Sequence, residues 1–461
     1  LDRKASYTWG KRGIERTQGR SCILLHNTSQ SALTLFEFQE AEELARKALR
    51  AERQDCPNPS YEHLANIYLV QGQFNKAVSA FKKLVRYPVE RRYRPQFFMG
   101  NRSILVELLF ALGKVEEGLK LSQQVFDAPD RAGMTSVSSD DIAFVHGFGY
   151  WLMLDQRIQQ LEDQTALRSL FSRVDRTVDK RGLQLTRFEV GRRLQRLAMV
   201  EEILVTNLRP YLRGVKPWYA GHLIDAVGAG LFSAALDRAE ALDAPVAEKV
   251  VGYYASLRGE VAYKDGSWDD AIQQGGDALR VLPKEMALLR WRTMAYVAAA
   301  RIATGDAGGD TLSMLREVLH KYPTALRHLD IAVPVRVQIG GSGDAEFLEE
   351  VAEAIEDSPR FTLTNAGFVA DLRMKDADLE LCLRTADGFR FGCASYEVDT
   401  KSNDDAIAAV DTFVETVLSP RVEMTAADIN SLDGSTVRVT ADQILDGLLE
   451  GPKKPGEEDE E

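Results

Sequence analysis

A helix-hairpin pattern with a period of about 34 residues constrains this chain more than any other feature. It is sharpest at Tyr61, Leu64, Ala65, Tyr68, Gly72, Phe74, Ala77, Phe81 and Leu84, closing at Pro88. It recurs at Gly259, Gly266, Trp268, Ala271 and Ala278, closing at Pro283. Tyr61, Leu64, Ala65 and Tyr68 stand at i, i+3, i+4 and i+7, one stripe of a helix. A second stripe follows Gly72, whose backbone freedom suits the turn. Ala65, Ala77, Gly259 and Ala271 are small enough to let antiparallel helices approach closely, and proline ends the second helix. One such hairpin cannot bury its apolar face alone, so neighbours must stack.

These residues resemble the tetratricopeptide repeat over 58–88 and 252–283. The resemblance implies an α-solenoid that builds a binding surface and carries no chemistry of its own. Ala41, Ala45 and Ala48 fit a copy one repeat upstream. Leu105, Leu109, Gly113, Val115 and Leu119 fit a later one, with Gly118 in place of the small alanine. Ala295, Ala298, Ala299 and Ile302, followed by Leu315, Val318 and Pro323, fit another. Spacing is uneven, with an insert at 90–96. Residues 130–250 are read as divergent helical hairpins within a solenoid spanning 21–329.

Charge divides the chain. From Gly341 onward there are 29 Asp and Glu against 10 Lys and Arg, a net of −19, whereas the whole chain is −12. Residues 1–340 therefore carry +7, and a boundary falls near 330–340. Residues 1–20 form a basic segment with Arg3, Lys4, Lys11, Arg12, Arg16 and Arg20, expected to be a solvated arm. The sharper reading of that arm is contact with an anionic membrane or an acidic partner. No stretch reaches the apolar run of about 18 needed to span a bilayer. Gly221–Leu236 comes nearest, interrupted by His222 and Asp225. The chain begins at Leu1, so any signal peptide or lipid-bearing cysteine is expected to lie upstream.

Around Leu329 the pattern changes. Residues 331–339 are β-branched and alternate in places, which predicts a strand. Phe347, Leu348, Val351, Ala352 and Ile355 predict a helix, and Phe361–Thr364 a short strand. Gly367–Arg373, Leu379–Thr385 and Phe389–Val398 read as further strands, the last two joined at Asp387-Gly388. In that register Leu379, Leu381 and Leu383 share a face with Tyr396, Ala394 and Gly392. Ala406, Ala409, Val410, Phe413, Val414 and Val417 mark a final helix. The fold class expected is mainly α: a solenoid followed by a small α/β domain, a mixed sheet with two helices, over 330–420.

Cysteines are few. With a two-residue loop Cys382 falls opposite Cys393 at a hydrogen-bonded position, poor for a bridge, so free half-buried thiols are expected; a longer loop would change this. Cys22 and Cys56 occupy equivalent sites of adjacent repeats, where helix spacing is usually too wide for a bond. The redox compartment stays open.

The order of elements over 330–420 resembles the N-terminal domain of TolB and the related curli-secretion and penicillin-binding-protein-activator lipoproteins. The resemblance rests on Ile331–Val335, on Ser358-Pro-Arg-Phe361, on Leu379-x-Leu381-x-Leu383 running into Asp387-Gly388, and on the helix 404–417. It implies a non-catalytic interaction domain, often of the cell envelope. Residues 421–450 are expected to hold two short helices, with Thr440-x-x-Gln443 as a capping box, and 451–461 an acidic disordered tail.

Few residues carry a signature of chemistry. The glycines at 340–343 follow a strand, but Glu346 stands where a dinucleotide fingerprint needs its last glycine, and Asp344 where a P-loop needs lysine. The six histidines are scattered without metal-ligand spacing, and His146 reads as a packing residue. Asp376 and Asp378 lie at a tight turn, where carboxylates commonly serve the backbone. No catalytic, cofactor or metal residues are assigned and no cofactor is expected. At the positions where tetratricopeptide carboxylate clamps use Lys and Asn stand Glu62 and Asn66, and Glu62 has the wrong sign. The candidate groove is lined by Glu62, Asn66 and Leu69 in one repeat and Tyr253, Ser256, Glu260 and Tyr263 in another.

The expectation is therefore a protein-interaction scaffold or adaptor of the bacterial cell envelope, lipoprotein-like, holding a peptide or protein in the solenoid groove. The α/β domain docks or self-associates, nucleic acid is not an expected partner, and membrane contact would come only through an N-terminal lipid anchor. The alternative is a sensor or adaptor region of a longer cytoplasmic signalling protein whose catalytic domain lies upstream.

Overall fold

The structure, a computed structural model, describes residues 3–51, 60–85, 105, 108–114, 117–118, 121, 224, 229–243, 248–341, 343–375, 378–420, 422 and 424. Expectations for Cys56, the insert at 90–96, Val115, Leu119, His146, most of 130–250, Asp376, the helices of 425–449 with their capping box, and the acidic tail lie outside these residues. The chain is mostly helical, with a C-terminal five-stranded mixed sheet and accompanying helices. It forms two compact units, 1–254 with 423–461 and 255–422.

In the first unit the described helices are α1 (Arg3–Arg16), α2 (Cys22–Thr34), α3 (Phe38–Arg50), α4 (Tyr61–Val70), α5 (Phe74–Val85) and α6 (Ala229–Asp243). Helices α1 to α5 pack consecutively. The basic segment expected as a solvated arm is instead the helix α1, seated on α2 at two glycines. A Cβ on Gly10 would fall 2.3 Å from Thr28 Oγ1, and one on Gly13 would fall 3.2 Å from Leu24 Cδ1. Its exposed side carries Lys4, Arg12 and Arg16, with Trp9 65% exposed. Ser21 caps α2 by accepting from the Leu24 amide. Helix α3 buries Ala41, Ala45 and Ala48 as the pattern expects.

The α4–α5 turn uses Gly72 at φ 67°. Between α2 and α3 the same left-handed position is taken by Phe36 at φ 60°, only 2% exposed. Burial of its ring against Phe38 and Tyr253 holds a backbone conformation that a side chain disfavours.

Helix α7 (Glu248–Lys264) runs through the boundary between units, and α8 (Trp268–Val281), α9 (Ala287–Ala303), α10 (Gly309–Lys321) and α11 (Thr324–His328) follow in the second. Gly259 makes the α7–α8 approach possible: a Cβ there would lie 3.0 Å from the Gly275 amide nitrogen. Helix α9 packs against α8, α10 and α11.

The sheet comprises β1 (Val333–Gly341), β2 (Phe361–Leu363), β3 (Phe368–Lys375), β4 (Asp378–Arg384) and β5 (Arg390–Glu397), with α12 (Ala345–Asp357) after β1 and α13 (Asn403–Val417) after β5. The order is β2-β1-β3-β4-β5; β1 runs parallel to β2 and β3, and β3, β4 and β5 are mutually antiparallel neighbours. The chain passes from β2 to β3 across β1, and Gly367 is needed there because a Cβ would lie 2.3 Å from the Pro334 carbonyl oxygen. Leu379, Leu381 and Leu383 pair with Tyr396, Ala394 and Gly392 in the expected register and are fully buried. Phe361 of β2 stacks on Phe413 of α13, so that helix covers the apolar side. The opposite face is polar. There Asp371 accepts from Arg373 at 2.9 Å and Arg384 at 3.2 Å, and Arg384 donates to Gln338 at 3.0 Å. Burial alone would raise the Asp371 carboxyl; the two guanidinium partners outweigh it and hold the carboxyl below its ordinary range.

The β4–β5 hairpin corrects the expectation of free thiols. Its loop has three residues rather than two. The Thr385 amide donates to the Phe389 carbonyl at 2.8 Å, and Gly388, at φ 91°, donates to Thr385 at 3.0 Å. An irregularity beside Leu383 and Arg384 restores the register, so Cys382 still faces Cys393. The pair now has a Cα separation of 4.1 Å, the narrow non-hydrogen-bonded spacing, and is joined as a disulfide. Cys22 is disulfide-bonded as well; the spacing argument concerned its pairing with Cys56, which lies outside the described residues.

Ion pairs and a cation–π contact join the helices and the segment after them to the sheet domain within the second unit. Arg327 meets Glu415 at 2.7 Å, Arg360 meets Asp330 at 2.7 Å, and Arg316 lies 4.9 Å over the Phe389 ring.

Candidate functional site

Three helices of the first unit each turn one stripe toward a common cleft. From α3 come Arg46, Leu49 and Arg50, at i, i+3 and i+4. From α4 come Tyr61, Leu64 and Tyr68, at i, i+3 and i+7. From α5 come Lys76, Ser79, Ala80 and Lys83, where Lys76, Ser79 and Lys83 again keep helical spacing. Ser79 and Ala80 are the two smallest side chains of its lining. Its volume is about 420 Å³, within the roughly 300–1,000 Å³ typical of ligand sites.

Leu64, Ala80 and the ring of Tyr68 are buried and form the floor. Arg46, Arg50, Lys76 and Lys83 are exposed and form the rim; among the described residues that line the cleft there is no carboxylate, Glu42 lying behind Arg46. Arg46 is held by Glu42 at 2.9 Å and donates to the Tyr68 hydroxyl, which itself donates to Glu42 at 2.8 Å. Burial first, then the Glu42 carboxylate, pushes the Tyr68 hydroxyl up to about 12, so the phenol stays protonated and able to donate. Lys76 stands 5.5 Å from the centre of the Tyr68 ring. Arg50, Lys76 and Lys83 have no carboxylate partner among the described residues. The arrangement can hold an apolar side chain on the floor and up to three anionic groups at the rim.

Of the seven inner-helix positions expected to line a groove, five are buried and two half-buried. Asn66, Leu69, Tyr253, Ser256 and Glu260 are buried. Ser256 hydrogen-bonds Thr293 at 2.7 Å, and Glu260 takes both forks of Arg292 at 2.6 and 2.7 Å. Tyr253 lies against Tyr254 and Phe36. Glu62 and Tyr263 are half-buried. Glu62 acts through its charge on His26, and Tyr263 lies beside Trp268, its hydroxyl raised to about 12 by burial and by Asp330. Helix α9 covers Ser256 and Glu260, which is why they serve the interior rather than a ligand. The cleft residues were open to a different signal, cations at helical spacing on α3 and α5, which reads in sequence as a solvated face.

At the glycines of 340–343, β1 continues through Gly341, and a Cβ on Gly343 would strike the Met374 side chain at 2.0 Å. The glycine there serves packing. Among the described residues one group, Glu380, Cys382 and Cys393, brings potential metal-ligand atoms within 4.8 Å, and its sulfurs are committed to the disulfide. Among the described residues no helix is long and apolar enough to cross a membrane. Comparison with known protein families, characterised proteins and solved structures finds no match.

Proposed function

We propose that this chain is a non-catalytic protein-interaction scaffold whose tetratricopeptide-like hairpins hold a peptide segment of a partner protein. One observation carries the reading: three helical stripes converge on a cleft with an apolar floor and a cationic rim, with no carboxylate among its described lining residues. A peptide fits better than a small metabolite because the charges are spread along three helices around an open floor. The hairpin geometry supports the repeat reading, with Gly72 and Gly266 in the left-handed turn position at φ 67° and 76°. The C-terminal α/β domain, TolB-like in this proposal, docks the scaffold or pairs it with a second copy.

The test is a random peptide array probed with the intact chain and with Ala80→Trp, which fills the floor. Circular dichroism of the variant serves as the folding control. Peptides captured by the parent and lost from a folded Ala80→Trp support the reading; equal capture by both sinks it.

We further propose an oxidising compartment, consistent with the cell envelope, because the Cys382–Cys393 pair and Cys22 are bonded. A signalling adaptor in a reducing cytoplasm would not keep such bonds. Maleimide labelling of the protein from intact cells, before and after reduction, decides this: label incorporated without reduction would remove the envelope placement.

A further inference from the structure

We propose that the acidic run at Glu457–Glu461 of this same chain occupies the cationic cleft in cis and competes there with partner peptides. The inference rests on the peptide-binding reading of the cleft and adds its regulation.

The argument is one of charge, tether and reach. The rim offers Arg50, Lys76 and Lys83 without carboxylate partners among the described residues, and Arg46 beside them. Glu457, Glu458, Asp459, Glu460 and Glu461 place five carboxylates in a row, the densest run of one charge in the sequence. Successive side chains of an extended segment point to opposite sides, so two or three of the five can meet the rim at once. The tether is observed. Lys114 donates to the Met424 carbonyl at 3.3 Å, and Met424 is 6% exposed, so the chain is fastened to the helical unit that holds the cleft. Residues 425–456 then separate this anchor from the acidic run, a maximum reach on the order of 100 Å.

A tethered segment acts at an effective concentration of about 1 mM. If the run alone binds with a dissociation constant of about 0.1 mM, a partner peptide sees its affinity reduced about tenfold. The competition is electrostatic and should weaken as ionic strength rises.

The experiment uses the full chain and a fluorescein-labelled peptide of residues 451–461 as probe, read by anisotropy at low and at physiological salt. The comparison is with a full chain carrying Glu457→Gln, Glu458→Gln, Asp459→Asn, Glu460→Gln and Glu461→Gln. The expected result is about tenfold tighter probe binding by the neutralised chain, lost again when Arg50→Glu and Lys83→Glu are added. Both lysine and arginine positions are exposed, so circular dichroism of that variant should match the parent. Equal binding by parent and neutralised chains would overturn the tail as occupant while leaving the cleft as a site for acidic segments of other proteins. Failure of both to bind the probe, with array peptides still captured, would overturn the acidic preference but not the scaffold. A tail effect that fades as the protein is diluted would assign the tail to a second copy and overturn the cis arrangement.

Discussion

Arg292 and Glu260 offer the sharpest energetic test of the second unit. Arg292 is 1% exposed and Glu260 0%, and two charge-assisted hydrogen bonds of 2.6 and 2.7 Å join them. Burial pulls the guanidinium down, but the charge and hydrogen bonds of Glu260 push it up further, and the net direction is upward. Among the described residues Arg292 Nη1 has no hydrogen-bond partner, so the pair is strong but incompletely satisfied. Replacing Glu260 by Gln leaves a buried cation against a neutral amide, and replacing Arg292 by Met leaves a buried carboxylate. Each single change should cost about 3–5 kcal/mol. The double variant Glu260→Leu with Arg292→Met removes both charges and should lie within about 2 kcal/mol of the parent. For a body of this size each kcal/mol moves the midpoint by about 2–4 °C, so the single variants should melt roughly 10 °C lower. The assay is urea and thermal unfolding of parent, both single variants and the double, followed by circular dichroism and by tryptophan emission, since Trp291 adjoins the pair. Single variants each costing less than about 1 kcal/mol would refute the reasoning, because an uncompensated buried charge is expected to cost several times that.

Other consequences follow from packing and titration. Burial lowers His26 below its ordinary 6.5 while Glu62 opposes this, and its Nδ1 lies 2.9 Å from Ser60 Oγ. The unfolded chain therefore takes up the proton first, so stability is full above about 6.5 and falls as pH drops through that value toward the lower folded pKa. His26→Gln should flatten a melting-midpoint series from pH 7.5 to 5; an unchanged slope would exclude His26 as its source. Ala77 is 0% exposed, and Ala77→Arg should abolish cooperative unfolding of the first hairpins, whereas an unchanged midpoint would contradict the close helix packing assigned to it. Gly367→Ala forces a Cβ toward the Pro334 carbonyl and should cost about 1–3 kcal/mol in urea unfolding. Cys382→Ser with Cys393→Ser opens an 11-residue closure and should cost about 2–3 kcal/mol, matched by adding reductant to the parent.

Legibility in the sequence tracked the strength of local pattern. The C-terminal strands and helices stood close to where alternation and 3.6-residue spacing put them, because one buried face imposes a strict period on each. Gly72 announced its turn because only glycine reaches that backbone region cheaply. Phe36 gave no such sign, since its positive φ is imposed by burial among Phe38 and Tyr253, which are distant or non-periodic neighbours. The loop of the β4–β5 hairpin was misjudged by one residue. Asp-Gly suits a two-residue turn, but the Thr385 hydroxyl accepts from the Phe389 amide at 2.9 Å and favours the longer one. That single residue, with its compensating irregularity, moves Cys382 and Cys393 into the narrow pair. The inner-helix residues Ser256 and Glu260 were illegible as interior because their partners, Thr293 and Arg292, come from a helix more than thirty positions later.

Among the described residues, charge falls into closed sets and an open one, and the two differ in what they can offer a partner. Glu260 with Arg292, and Asp371 with Arg373 and Arg384, are closed sets: each carboxylate is buried and already meets its cations. Such sets fix register between elements and gain little from a ligand, because a ligand would have to displace bonds already made. Arg50, Lys76 and Lys83 are an open set, solvated at the rim of a floor that is itself apolar. Binding there displaces only water and salt ions, and the apolar floor adds burial that a bare cationic surface could not supply. An open set beside an apolar floor is where binding free energy can be gained, which is why the proposal of a peptide site rests on the α3–α5 cleft rather than on the more strongly bonded polar face of the sheet.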